Sequence, residues 1–381
     1  MQNGFQTQVN LTPAPAVAGD FASNNPRSVV LAGPGGLVTG SNGVTVGRFA
    51  WVEADLLTAN NYGSAPNAPD GFVHREQQAL ITQFLADASN VVPEGFPITL
   101  HNGGDFWALN NGPAALTKGA AIYASYADGS IWSSAPDGAS VTASIGSTNT
   151  GAIGATFTAS AGTPDTELVV TAVTGLISIG DTVSGTGITA GTTILSQISG
   201  TPGGAGTYGL SASNTTSAAT VTSFGNVLKV TATTGLISIG DTVSGGSGFP
   251  AAATIVSQVS GTTGGAGVYT LSAPATAYVA SATGVTTFGN VMYVTAVGSG
   301  TLAIGEPVSG SNVPADAAIA SQVSGTPGST GVYTLTLPAT QYVASETVTT
   351  TGGIDSGWEA YPTSTGDGAV GSLVKISKNP S

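Results

Sequence analysis

Cysteine is absent from all 381 residues. Disulfides and thiolate metal sites are therefore excluded, and the composition carries no mark of a redox compartment. Charge is also scarce. Asp, Glu, Lys and Arg together make up 7% of the chain, against roughly 25% in an average soluble domain. Solvation then falls to Ser, Thr, Asn, Gln and the backbone. Positive charge is the scarcest: seven Lys and Arg face twenty Asp and Glu, for a net charge of −13. That balance argues against holding nucleic acid through its phosphates. No run of about 18 apolar residues occurs, so no helical membrane span is expected. The opening "MQNGFQTQVNLTPAPAVAGDF" has neither a basic n-region nor an apolar h-region, so no secretory signal is expected and synthesis in the cytoplasm is.

The reagents of catalysis are thin as well. His74 and His101 are the whole histidine inventory. With Asp70, Glu76 and Asp105 near them in sequence a metal site is conceivable, but the spacing matches no metal motif. Two hydrogen-bonded structural histidines are the expectation. "GTPGGAGTY" is glycine-rich yet lacks the Lys-Ser/Thr pair of a phosphate-cradling loop. No serine sits in a Gly-x-Ser-x-Gly context beside a usable histidine, and no pair of acids stands out for glycoside hydrolysis. The expectation is no catalytic residue, no cofactor and no metal.

What is present is repetition. "SQISGTPGGAGTYGLS" at 196–211 returns as "SQVSGTTGGAGVYTLS" at 257–272 and "SQVSGTPGSTGVYTLT" at 321–336. The match extends upstream, to "ELVVTAVTGLISIGDTVSG", "NVLKVTATTGLISIGDTVSG" and "NVMYVTAVGSGTLAIGEPVSG". Ser178, Ser238 and Ala303 align, at spacings of 60 and 65 residues. A period of this size indicates an array of small units. Each unit reads as five or six short strands, because β-branched runs alternate with polar residues between glycine-rich turns. The quoted phrase is one β-hairpin, whose consecutive glycines supply positive φ; Gly264 and Gly265 are expected in that role in the second unit. Asp181, Asp241 and Glu306 share one repeat position. They are expected to cap turns, because one acid per site is too few for a calcium ion. Tyr208, Tyr269 and Tyr333 share another, either as core plugs or as stacking platforms for glycans.

The flanks differ from the repeats. Trp51, Trp107 and Trp132 precede the array, Trp358 follows it, and the repeats have no tryptophan. The tail ends in a strand-like "GSLVKIS". The repeats therefore read as an insertion, with the tail returning to complete the first domain. The expected boundaries are a base at 1–162 with an N-terminal arm, repeats at 163–225, 226–289 and 290–350, and a returning segment at 351–381. The fold class is all-β, a barrel or sandwich base carrying three small sandwich-like repeats. Glu76–Ala88 fits one short helix, with Leu80, Ile81, Phe84 and Leu85 on one face, though it also reads as the start of a strand.

"PAPAVAGDFASNNPRSVVLAGPGGLVTG", "VTVGRFAWV", "GFVHREQQALIT" and "VPEGFPITLHNGGDFWAL" lie within residues 13–109. Together they resemble the structural cement proteins of tailed bacteriophages, and "GWEAYPTSTGDGAVGSLVKIS" is similar to the terminal segment of that family. The repeats resemble β modules of phage fibre and decoration proteins. The resemblance implies a non-enzymatic decoration protein on the outer capsid surface of the virion, made in the host cytoplasm. Its partners would be the major capsid protein and further copies of itself, as a homotrimer at threefold or quasi-threefold positions, with no nucleic acid or membrane. The polar, Pro-rich arm at 11–27 would lie on a neighbour. A fibre or adhesin whose repeats make weak contact with host-surface glycans is the alternative. Arg27, Arg48 and Arg75 are the only arginines. They are candidates for the capsid interface, because the guanidinium fork suits interfacial carboxylates. The competing role is pairing within the base, where residues 1–140 hold ten acids and four cations.

Overall fold

The computed structural model describes residues 16–63, 66–76, 90–363 and 367–379. The fold is all-β, and no helix occurs among the described residues. The helix expected at Glu76–Ala88 lies, beyond Glu76 itself, outside the described residues.

The base is organised by the ten-residue strand Leu100–Leu109. One neighbour is Gly71–Val73, beyond which follow Phe49–Val52 and Thr58–Asn60. The other neighbour is Leu373–Lys378, from the far end of the chain, paired antiparallel from Leu373↔Leu109 to Lys378↔Gly104. Gly353–Ala360 and Ala121–Ser125 continue the sheet on that side. The returning strands are amphipathic with period two: Ser356, Trp358 and Ala360 are buried while Asp355, Gly357 and Glu359 are exposed. Trp358 enters an aromatic core beside Phe49, Phe72 and Phe106, with ring centroids 5.9 Å from Phe49 and 5.8 Å from Phe106. The last residues of the chain therefore complete a core begun near residue 49.

The array is built around one strand. Ser140–Gly175 is assigned as a single 36-residue element. Its first part is a spine. Residues 140–145 run between Val343–Thr350 and the later part of Val279–Ser299. Residues 147–153 run between the start of Val279–Ser299 and the end of Gly206–Gly235. Residues 155–159 pair with 219–223. The element then doubles back, since Thr171 Oγ1 donates to the Thr158 carbonyl and Leu176 N donates to the Gly154 carbonyl. Three separate cores line this spine. Ile153 joins Leu228, Tyr269 and Val285; Ala155 and Phe157 join Leu168, Tyr208 and Val221; Val141 and Ile145 join Met292, Tyr333 and Val348. The chain thus climbs the whole array once and comes down module by module, the outermost module first. Residues 139–161, grouped with the base on sequence, supply side chains to the module cores instead.

Glycine sets the spine's period. Gly138, Gly146, Gly154 and Gly162 stand eight apart. Gly146 and Gly154 both have φ +78°, and a Cβ there would lie under 2 Å from the carbonyl oxygens of Thr287 and Ser223. Each marks the step from one module to the next.

Candidate functional site

The three arginines lie in loops beside three strands of the base, Arg27 just before Ser28–Val29, Arg48 just before Phe49–Val52 and Arg75 just after Gly71–Val73, and each is engaged within it. Arg48 Nη1 is 2.6 Å from Asp128 Oδ2 and also donates to the Asp128 carbonyl. Arg75 Nη1 is 3.7 Å from Asp20 Oδ1. The Arg27 guanidinium lies 3.6 Å above the Phe21 ring and donates to the Ser23 carbonyl. Phe21 in turn stacks on His74 at 3.8 Å, and His101 meets it edge-on at 5.7 Å. His74 Nδ1 is 2.8 Å from the Gly19 carbonyl oxygen. His101 is pushed down to about 4, first by burial and then by His74 and Arg27, so it is neutral in neutral solution. Among the described residues no group of three or more possible metal ligands occurs.

These contacts fasten the arm, and they correct one expectation. Of the arm expected at 11–27 on a neighbour, residues 11–15 lie outside the described residues, and residues 16–27 lie on their own base. Gly19 N donates to Trp107 O, Trp107 N to Asp20 O and Ala22 N to Asp105 O, so the arm uses its backbone groups as an extra short strand. Asp105 is the staple. Its carboxylate accepts from Ser23 Oγ, Asn25 Nδ2 and Ser377 Oγ, joining the arm, the central strand and the C-terminal strand. Burial opposes its ionisation, but the hydrogen bonds from Ser23, Ser377 and Asn25 hold the carboxyl below its ordinary value. Nothing in the local sequence pattern marks Asp105 for this role, because its partners are 80 or more residues away on either side.

The repeat positions are structural. Asp181 Oδ2 accepts from Ser178 N at 3.0 Å and from Ser223 Oγ at 3.0 Å. Asp241 Oδ2 accepts from Ser238 N, and Glu306 Oε2 accepts from Thr350 Oγ1. All three carboxyls are buried, and that burial raises each above its ordinary value, to about 6 at Asp241. Tyr208, Tyr269 and Tyr333 are each 1% exposed, and each hydroxyl donates 2.6 Å to a hairpin carbonyl, on Gly204, Gly265 and Ser329. They plug the cores, and their rings are closed to a glycan. Gln197, Gln258 and Gln322 brace the same hairpins: each amide donates to one strand carbonyl and one loop carbonyl, and each Oε1 accepts from a loop N–H. Sequence reasoning passed over these glutamines, although their recurrence in "SQISG" and "SQVSG" was signal enough. In the glycine pair only Gly264 has positive φ, at +66°, matched by Gly203 and Gly328; Gly265 does not.

Base and array meet at the third module. A cavity of about 430 Å³ lies between them, lined by Trp51, Glu53, Asn60 and Tyr62 of the base and by Ile304, Ala320 and Thr336 of the module. At its floor the two parts touch, for a Cβ on Gly305 would lie 2.0 Å from the Gly63 carbonyl oxygen.

The sequence model of the XM1 gp53 minor capsid protein family matches residues 5–240. The chain belongs to that family. The matched span takes in the arm, the base strands before the array, the spine and the outermost module, so base and array are both parts of this minor capsid protein. It is a phage structural protein associated with the capsid. No curated protein matches the chain. A capsid structural role accords with a chain whose Arg48, Arg75 and buried repeat acids are engaged in holding its own segments together.

Proposed function

We propose that this minor capsid protein is a cement: its base sits on the outside of the shell and bridges neighbouring major capsid protein subunits, and its array projects outward. The observation that carries the reading is the way the array is mounted. It leaves the base after residue 138 and returns at residue 350, and these two points are adjacent, since Ala139 N donates to Thr350 Oγ1 and Thr350 N to the Ala139 carbonyl. A base so closed on itself is free to bind elsewhere while the array stands clear. Bridging would stabilise the assembled shell over its separated subunits by mass action. The base is proposed to act as a trimer at threefold or quasi-threefold positions. Arg27, at the exposed edge of the arm, is the best placed of the three arginines for a shell contact; Arg48 and Arg75 already hold carboxylates of the base. The fibre reading loses its stacking residues with the burial of the repeat tyrosines.

Difference density between capsids with and without the protein tests this. Density bridging capsomers in many copies is expected. Density confined to the tail vertex overturns the cement, and single copies on hexamer centres overturn the trimer.

A further inference from the structure

The face that docks on the base exists three times. In the third module it comprises Ile304, Gly305 and Ala320: Gly305 touches Gly63 of the base, and Ile304 and Ala320 line the cavity opposite Tyr62. The repeat alignment puts Ile239, Gly240 and Val256 at the same places in the middle module, and Ile179, Gly180 and Leu195 in the outermost. There the face is bare. Ile239 is 71% exposed and Ile179 69%, against 37% for Ile304. A Cβ on Gly180 or Gly240 would meet nothing within 4 Å, whereas one on Gly305 would strike the base. The bare copies are also the more apolar, with Leu195 and Val256 in place of Ala320, and both are more than half exposed. The carboxyls next in sequence, Asp181 and Asp241, are buried, so they are turned away from both faces.

We infer that the Ile179/Leu195 and Ile239/Val256 faces are docking surfaces for a second copy of this chain, standing parallel so that equal modules meet. This rests on the reading that several copies stand together on one shell. Three observations select that occupant. The same face in the third module already receives part of this chain, the segment at Gly63 that follows the strand Thr58–Asn60. The two bare faces lie one and two steps farther up the spine, each step eight residues or about 26 Å, so they are carried away from a shell held by the base while neighbouring arrays stay at matching heights. And copies of net charge −13 approach at lower electrostatic cost where the nearest carboxyls, Asp181 and Asp241, are turned inward.

The absence of native cysteine gives a direct test. Full-length Ile179→Cys and Ile239→Cys proteins are bound to shells and mildly oxidised. Each variant alone is expected to yield disulfide-linked dimers, and never larger species, because each copy carries one thiol. Shells bearing both variants are expected to give no link between 179 and 239. Monomer only, a 179–239 link, or a link to the shell protein would each overturn the inference, while co-sedimentation with the shell reports separately on the cement reading. Should the protein fail to bind shells at all, sedimentation of the free chain over a concentration series decides the question. The parent is then expected to self-associate and the Ile179→Ser/Ile239→Ser double variant to do so at least tenfold more weakly. Identical behaviour overturns the inference, and both substitutions are at exposed positions whose loss leaves the fold intact.

Discussion

The base and the array bury hydrophobic surface by opposite strategies. The base gathers Phe49, Phe72, Phe106 and Trp358 into one aromatic core drawn from distant parts of the chain. The array divides its apolar residues among three small aliphatic cores, each with one tyrosine and none with tryptophan. The base also holds an aliphatic cluster around Val44, Val73 and Leu100, and both of its clusters draw on the same strands, Phe49–Val52, Gly71–Val73 and Leu100–Leu109. The array is quasi-one-dimensional, since each module answers to its own stretch of spine. The difference teaches that stability is shared in the base and local in the array.

The sharpest way to break that comparison is excision. Removing 139–350 and joining Gly138 to Thr351 is expected to leave a soluble base with an intact near-UV signal and a cooperative melt. Removing 163–350 instead strands Val141, Ile145, Ile153 and Phe157 without their partners, and that protein is expected to aggregate. Equal behaviour of the two would mean that the spine does not belong to the modules. Next in size is Trp358→Ala. Emptying this fully buried position is expected to cost about 3–5 kcal/mol and to lower the base transition in calorimetry while the array transition stays where it was.

Acidity sharpens the comparison from the array's side. Asp241 titrates at about 6 in the fold against an ordinary 3.8, because burial disfavours its ionised form. Below about pH 4 both folded and unfolded forms are protonated and nothing is lost. As pH rises from there to about 6, the unfolded chain releases its proton first, and stability falls by about 2–3 kcal/mol before levelling off. Asp181 and Glu306 are raised for the same reason, so their contributions have the same sign. Asp241→Asn is expected to flatten the slope for the middle module and raise its melting temperature at pH 8, with the base unaffected. The smallest effect concerns the hairpins. Gly264→Ala is expected to cost about 1–2 kcal/mol through its positive φ, and Gly265→Ala under about 1 kcal/mol, as read by the midpoint of denaturant unfolding.

How much of this was legible in the sequence depended on how far apart the pairing residues lie. The hairpins, the capping acids and the tyrosine plugs close over short separations, and the repeated phrase shows all of them. The spine was misread because Val141 packs with Val348 and Ile145 with Met292, across intervals that no local pattern spans. Its composition of Gly, Ala, Ser and Thr also looks like linker. The eight-residue glycine period was nevertheless in plain view. The arm misled for a related reason: prolines and small residues signalled a segment without a core of its own, but the strand that receives it, Leu100–Leu109, comes some 80 residues later. The arginines could not be sorted from sequence, because Asp128 and Asp20 are as ordinary as any other acid in a chain with twenty.

The spine that climbs before the modules descend also fixes a schedule. On the ribosome, residues 140–161 emerge first and remain without their final neighbours. The outermost module closes once residue 223 has been made, the middle one after residue 287, and the innermost only near residue 350. Leu100–Leu109 waits longer still, for Leu373–Lys378. At about 5–20 residues per second, roughly 10–60 s separate that strand from its partner. The part of the molecule farthest from the base is finished first and the base last, so a truncated nascent chain carries a completed tip and no completed foot.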